Sequence, residues 1–211
     1  MKKIGIVFIV VMLFSCKSSK LVAEYRNPQP VIFNAYKVLL VGMTPNEEMR
    51  IDFETRIKED FDDIGIEAVR SIDLFDIQFK ASSKTEDELA AVEQQLLEKD
   101  FDAILFTKVM GAEIKPNLRS KINQLTDYSD FKNDFLENQN TYLDNHNTKT
   151  SYDIYNTETT VYCICVDKEK SLIWRGNIDV KGGAKPSKAL NHYVQLIVAS
   201  MKKSNVIFRE N

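Results

Sequence analysis

The pattern of apolar and polar positions predicts three buried strands separated by two helices. Residues 38–41 and 103–106 are uninterrupted apolar runs, as expected for strands covered on both faces. Residues 66–72 hold a shorter run with imperfect alternation, which is typical of an edge strand. Apolar residues at helical spacing predict helices over 46–64 and 85–99. The order βαβαβ with short connections indicates a parallel α/β sheet.

The second half of the chain predicts an antiparallel β-hairpin and a closing helix. Residues 152–166 have the pattern of a long strand, and the polar run 167–170 suits a turn. Residues 172–180 suit the returning strand, with Gly176 as a bulge. The last helix is predicted to carry one apolar stripe, formed by Leu190, Tyr193, Val194, Ile197, Val198 and Met201. The predicted fold class is therefore α/β, a three-layer sandwich around a mixed sheet.

The stretch 36–48 predicts a strand, a sharp turn and a helix start. Gly42 permits the turn, and Thr44 and Glu47 are placed to form a capping box. An anion can bind at such a junction. The stretch nevertheless lacks the further glycines of a dinucleotide loop and the Gly-Lys-Ser/Thr of a P-loop, so the sequence predicts no nucleotide and no other cofactor.

The carboxyl ends of the predicted parallel strands offer one place for a small ligand or an active site. Gly42, Ser71 and Thr107 would lie around this crevice, because ligands of open α/β sheets bind there. A deep polar pocket that gathered Asp73, Lys108 and a histidine would favour an enzyme. No convergent catalytic set is visible in the sequence, so a small-ligand-binding module or enzyme stands as the alternative function.

The N-terminal residues have the composition of a bacterial export signal. Lys2 and Lys3 precede an apolar run at 4–14, which is shorter than the roughly 20 residues that span a bilayer. The Leu-Phe-Ser-Cys sequence at 13–16 resembles the lipobox of bacterial lipoproteins. That resemblance implies lipid attachment to the Cys16 thiol, cleavage after Ser15, and anchoring by several acyl chains. The alternative is an ordinary signal peptide in which Cys16 is incidental.

The segment that follows the predicted cleavage site has the composition of a flexible tether over residues 16–34. Residues 35–211 then suit a single domain. Removal of residues 1–15 takes two positive charges from a net charge of −3 and leaves −5, which argues against a nucleic-acid partner. Lys17 and Lys20 follow Cys16 without an acidic residue, which by resemblance to lipoprotein sorting patterns indicates the outer membrane, facing the periplasm.

Behind the lipobox, the predicted order of elements resembles the small periplasmic α/β domains of bacterial envelope lipoproteins. These include the curli-export lipoprotein family, the N-terminal domain of TolB, and uncharacterised lipoproteins of Bacteroidetes. The residues that carry the resemblance are 37–42, 65–69, 101–105 and 166–176. The resemblance implies this architecture and a role in envelope assembly. The chain departs from the curli-export family because it has no pair of long membrane-spanning hairpin segments.

Cys163 and Cys165 are the most conspicuous chemical candidates. Residues two apart on a strand point to the same face, with Cα atoms at or beyond the usual disulfide limit. The favoured interpretation is a pair of buried, free, apolar thiols. A redox-active or strained pair and a metal site are the other interpretations, although no further ligand lies nearby in the sequence and no metal is predicted.

The polar insertion at 114–152 contains the best candidates for contact with a partner. These are its aromatic residues, Tyr128, Phe131, Phe135 and Tyr142. The alternative is that they pack on the domain's own sheet. His146 lies in a solvated loop by composition and His192 lies off the apolar stripe of the last helix. The sequence as a whole predicts a non-catalytic, lipid-anchored envelope module that binds an unidentified protein partner.

Overall fold

A computed structural model describes residues 19–28, 33, 35–44, 47–75, 83–111, 130–144, 154–164, 172–181 and 186–206. Six strands lie in this part of the chain: β1 (Ser19–Arg26), β2 (Lys37–Met43), β3 (Glu67–Arg70), β4 (Ala103–Gly111), β5 (Ile154–Cys163) and β6 (Leu172–Lys181). The helices described there are α1 (Glu47–Asp62), α2 (Ser71–Leu74), α3 (Glu86–Glu98), α4 (Phe131–Asp144) and α5 (Pro186–Lys203). None of these helices is long and apolar enough to cross a membrane.

The strands form one mixed sheet in the order β1-β6-β5-β4-β2-β3. β3, β2 and β4 are parallel, and β3 lies at the sheet edge as its imperfect alternation predicts. β5 joins β4 antiparallel and forms the predicted hairpin with β6. The prediction of an α/β fold with a mixed sheet is confirmed.

The prediction of a flexible tether over residues 16–34 is wrong for Ser19–Arg26. This segment is β1, an edge strand that pairs antiparallel with β6. Its Glu24 carboxylate accepts hydrogen bonds from Trp174 Nε1 at 2.8 Å and from Ser204 Oγ at 2.5 Å. The strand was missed because its partners lie some 150 residues away in the sequence and the residues on either side of its apolar positions are polar. The folded domain therefore begins close to Cys16.

Helices cover both faces of the sheet. One face packs under α1 and α5 in a cluster that includes Val38, Leu40, Leu105, Val161, Trp174, Phe53, Ile57, Phe61, Val194 and Ile197. The opposite face packs under α3 and α4 in a cluster that includes Leu39, Ile104, Phe106, Tyr162, Val92, Leu96 and Phe131. Successive residues of a strand point to opposite faces, so the apolar runs supply both clusters at once. The three layers match the predicted sandwich.

Gly176 is not a bulge, contrary to the prediction. It pairs in regular register with Thr159 on one side and Glu24 on the other. The irregularity between β5 and β6 lies instead where Val161 pairs with Trp174 and Tyr162 pairs with Leu172. A Cβ at Gly176 would lie 2.7 Å from Trp174 Cζ2 and closer still to its Cη2. Glycine is therefore needed at this position, because the fully buried indole ring occupies the space that a Cβ would take.

Candidate functional site

The crevice at the strand carboxyl ends is filled by a side chain of the protein itself. Glu54 of α1 is fully buried, and its Oε1 accepts the Gly42 N–H at 2.9 Å. The same oxygen accepts bonds from Ser71 Oγ at 2.7 Å and Arg50 Nε at 3.0 Å, while Oε2 accepts the Ile72 N–H at 3.2 Å. The amide that could have bound a phosphate thus binds an internal carboxylate. We name these residues, Gly42, Arg50, Glu54, Ser71 and Ile72, the Glu54 cluster.

Thr107 belongs to a separate hydrogen-bonded group under α5. Its Oγ1 lies 2.9 Å from Thr159 Oγ1, which in turn lies 2.5 Å from the Tyr193 hydroxyl. Burial raises the pKa of Tyr193 above its ordinary value, although hydrogen bonds to the neighbouring threonines oppose this. The group joins β4 and β5 to α5 on the face of the sheet that α1 and α5 cover, so Thr107 has a packing role.

The residues that would have favoured an enzyme are not gathered in the described part of the chain. Asp73 forms a bidentate pair with Arg70, at 2.7 and 2.8 Å, on the exposed surface. Lys108 points to the face of the sheet opposite to Thr107, since the two are neighbours on one strand. His192 is half-buried on α5, and His146 lies outside the described residues.

A cluster of charged side chains is buried between the sheet and α4. Lys108 Nζ lies 2.5 Å from Asp134 Oδ1 and 2.7 Å from Glu158 Oε1. Arg175 NH2 donates to the Tyr162 hydroxyl at 3.1 Å, and this hydroxyl donates to Asp134 Oδ2 at 2.5 Å. Arg175 also lies 3.8 Å from both carboxylates. We name these five residues, all at most 7% exposed, the Asp134 cluster.

The electrostatics of the Asp134 cluster explain how charges persist inside the domain. Burial disfavours the charged guanidinium of Arg175, but the neighbouring Glu158, Tyr162 and Asp134 outweigh that effect and raise its pKa. Burial and the adjacent Asp134 carboxylate raise the pKa of Tyr162, so this phenol stays neutral. Two cations face two carboxylates, and the cluster has no net charge. Asp134 is the member contributed by α4, so the cluster ties that helix to β4, β5 and β6.

The structure assigns part of the predicted partner surface to the core. Phe131 is 8% exposed and packs edge-on against Phe106 with 5.4 Å between ring centroids. Phe135 is half-buried in the same cluster, 6.0 Å from Phe106. The prediction of partner contact is therefore wrong for Phe131, and the alternative of packing on the sheet applies to both phenylalanines. Tyr128 and the Tyr142 side chain lie outside the described residues.

Cys163 is buried, as expected for an apolar position, but it is disulfide-bonded. The prediction of free thiols is thus wrong for Cys163, while Cys165 lies outside the described residues. The described part of the chain contains no group of three His, Cys, Asp or Glu side chains placed to hold a metal ion.

Comparisons with known proteins add little to this geometry. No protein-family model matches the sequence, and no curated protein matches it. Among solved structures, the chain is similar to the PelC dodecamer from Paraburkholderia phytofirmans, with 9% identity, a TM-score of 0.46, and coverage of 91% of this chain and 99% of that chain. A variant of the same PelC gives 7% identity and a TM-score of 0.45, with coverage of 86% and 96%. These likenesses are too low to carry an argument about function.

Sequence reasoning missed the two buried ionic clusters, although part of the signal was present. Lys108 continues the alternation of Ile104 and Phe106, so its side chain had to point inward with them. Asp134 lies three residues after Phe131, on the same side of its helix. A charge at a core position implies an opposite charge nearby. The identity of that partner could not be deduced, because the strands and α4 meet only in the folded chain.

Proposed function

We propose that the protein is a lipid-anchored lipoprotein of the bacterial envelope, held at the outer membrane by lipid on Cys16 and facing the periplasm. The observation that carries this proposal is the basic start, the apolar run at 4–14 and the lipobox-like sequence at 13–16. The position of β1 supports it. The described sheet begins at Ser19, so cleavage after Ser15 would leave the whole of β1 in the mature chain.

We further propose that the domain works by contact with another protein. A ligand-binding or enzymatic role at the strand carboxyl ends is the weaker alternative, because Glu54 occupies the amide and hydroxyl donors that a ligand would use there. The charges of the Asp134 cluster are likewise directed at one another. The chemistry that these two clusters could offer is thus engaged in holding the fold.

We expect the partner to bind at the end of the domain opposite to Ser19. Ser19 lies at one end of the sheet, while Tyr36 lies at the other, just before β2. Tyr36 is 58% exposed, and Ile64, just after α1, is 40% exposed. The two lie at the same end because Glu67, three residues after Ile64, donates its N–H to the Tyr36 carbonyl. Exposed aromatic and aliphatic side chains are common in protein interfaces. Tyr128 and Tyr142 remain candidate contacts.

Site-specific photocrosslinking in intact cells tests this proposal. A photoreactive residue replaces Tyr36, Ile64, Tyr128 or Tyr142, one at a time, and an exposed position on α3, Gln94, serves as the matched control. We expect a defined envelope protein to be captured at one or more of the four test positions and not at Gln94. Capture of no protein at any test position, with normal lipoprotein levels in the outer membrane, would contradict the contact role.

A further inference from the structure

The distance between the predicted anchor and the folded domain is short. Ser19, the first residue of β1, pairs with Val180 of β6, and its Oγ donates to the Ala189 carbonyl at 3.4 Å. Cys16 lies three positions before Ser19 in the sequence, and a fully extended chain of three residues spans at most about 11 Å. If Cys16 carries lipid, as proposed above, this end of the domain must lie against the headgroups.

Three exposed lysines surround the point at which the chain enters the domain. Lys20 is the residue after Ser19. Lys181 follows Val180, the partner of Ser19 on β6, and Lys188 precedes Ala189, whose carbonyl accepts the Ser19 hydroxyl. They come from β1, from the end of β6 and from the first turn of α5. The fold therefore places positive charge around the start of β1.

Negative charges at the same end of the sheet do not cancel this positive charge. Asp179 pairs with Lys20 across the strands and is half-buried, so it offsets at most one of the three positive charges. Glu47 and Glu48 open α1, which follows the end of β2, and Glu86, Asp87 and Glu88 open α3, which packs against Leu39 of β2. β2 lies four strand positions from β1, or about 19 Å at the usual strand spacing. That is more than twice the screening length of about 8 Å at physiological salt.

We propose that Lys20, Lys181 and Lys188 form a membrane-facing surface that binds anionic phospholipid headgroups and holds the anchored domain upright. Each lysine near an anionic surface contributes roughly fivefold in binding, so three favour this orientation on the order of a hundredfold. The opposite end of the domain then points into the periplasm. The proposal rests on lipidation of Cys16, which fixes the end of the domain that meets the membrane.

Lysine acetylation of the full, processed chain tests the surface. The protein is reconstituted into phosphatidylethanolamine vesicles with or without phosphatidylglycerol, and labelling is read by mass spectrometry. We expect Lys20, Lys181 and Lys188 to react at least about tenfold more slowly when phosphatidylglycerol is present, and high salt to remove the protection. Lys202 and Lys203, exposed about 20 Å away along α5, are the internal controls and should react equally in both.

The same spectra separate this proposal from the anchor on which it rests. A lipidated Cys16 peptide together with unprotected Lys20, Lys181 and Lys188 overturns the membrane-facing surface and leaves the anchor intact. A Cys16 peptide without lipid overturns both. Equal protection of Lys202 and Lys203 would also overturn the surface, because the domain would then not stand upright.

A pair of matched triple variants provides a second readout. Trp174, the only tryptophan of the chain, pairs with Arg26 at the far end of β1, about 23 Å from Ser19. Energy transfer from Trp174 to dansyl-labelled headgroups therefore reports the height of this end of β1 above the membrane. We expect transfer to rise when the three surface lysines are changed to glutamine, because the domain is then free to tilt. The control variant, with Lys58, Lys202 and Lys203 changed to glutamine, should keep the native value, and equal transfer in both variants would refute the proposal.

Discussion

Substitution of Asp134 by asparagine tests whether the Asp134 cluster holds α4 on the sheet. The change keeps the shape of the side chain but removes the charge that faces Lys108 at 2.5 Å and Arg175 at 3.8 Å. Two buried cations are then left with Glu158 as their only carboxylate partner in the cluster. Breaking a buried ion pair on one side destabilises a protein by about 3–5 kcal/mol. For a domain of this size that corresponds to a fall in Tm of roughly 6–20 °C.

The assay is urea unfolding of Asp134→Asn followed by circular dichroism, with amide hydrogen exchange to locate the loss. We expect the free energy of unfolding to fall by the amount above and the amides of α4 to lose protection before those of β2 and β4. Asp130→Asn is the matched control one turn away. Asp130 is a half-buried residue whose Oδ1 accepts the Asn133 N–H. Asparagine caps helices as well as aspartate does, so the free energy of unfolding of Asp130→Asn should change by less than about 0.5 kcal/mol.

A double variant decides whether the effect comes from the ion pair. Lys108→Met combined with Asp134→Leu removes both charges and fills their space with apolar atoms. Such replacements of a buried pair are often neutral or stabilising, so the double variant should recover at least about half of the loss. If the free energy of unfolding of Asp134→Asn lies within about 1 kcal/mol of the native value, the Asp134 carboxylate is not needed to neutralise Lys108 and Arg175, and the reasoning is refuted.

Three further predictions follow from the buried contacts. Gly176→Ala forces its new methyl group against the Trp174 ring, so we expect a loss of about 1–3 kcal/mol and a red-shifted tryptophan emission; unchanged emission would show that the ring does not cover the glycine. Glu24→Ala removes the acceptor of Trp174 Nε1 and should destabilise the domain by about 1.5–3 kcal/mol in urea unfolding, whereas a loss below about 0.5 kcal/mol would mean that β1 is held without it. Burial raises the pKa of Tyr162 and of Tyr193, so their stabilising contribution is complete below the unfolded value near 10 and is lost as the pH rises above it. Above pH 10 the free energy of unfolding should therefore fall by about 1.4 kcal/mol per pH unit for each of the two tyrosines. In Tyr193→Phe this slope should be halved, and an equal slope in the native protein and the variant would contradict the assignment.

The order of the parallel elements could be predicted from sequence because their signals are local. The apolar runs of β2 and β4 mark strands covered on both faces, and the Thr85–Glu88 capping box that opens α3 is present in the structure. The hairpin of β5 and β6 was also predictable, since its strands are adjacent in the chain. Each of these elements carries its own period or cap, independent of the partner against which it packs.

The remaining features depend on contacts between distant parts of the chain. β1 has four apolar residues among eight, but the serines, lysines and prolines around them indicated a tether, and the hydrogen bonds that make it a strand come from β6. The role of Gly176 depends on the rotamer of Trp174, which no periodicity encodes. The sequence places Glu54 among the polar residues of an acidic helix, whereas in the structure it accepts hydrogen bonds from the Gly42 amide and the Ser71 hydroxyl. A pattern of hydrophobic positions does not identify partners that are distant in the sequence.

The mass of the mature protein isolated from bacterial membranes tests the central claim most directly. The account predicts a chain that begins at Cys16, lacks residues 1–15, and carries a diacylglyceryl group on the Cys16 sulfur and an acyl group on its amine. The Cys16→Ala variant should retain residues 1–15 and carry no lipid. A mature chain that begins at another residue, or that begins at Cys16 without lipid, would contradict the account.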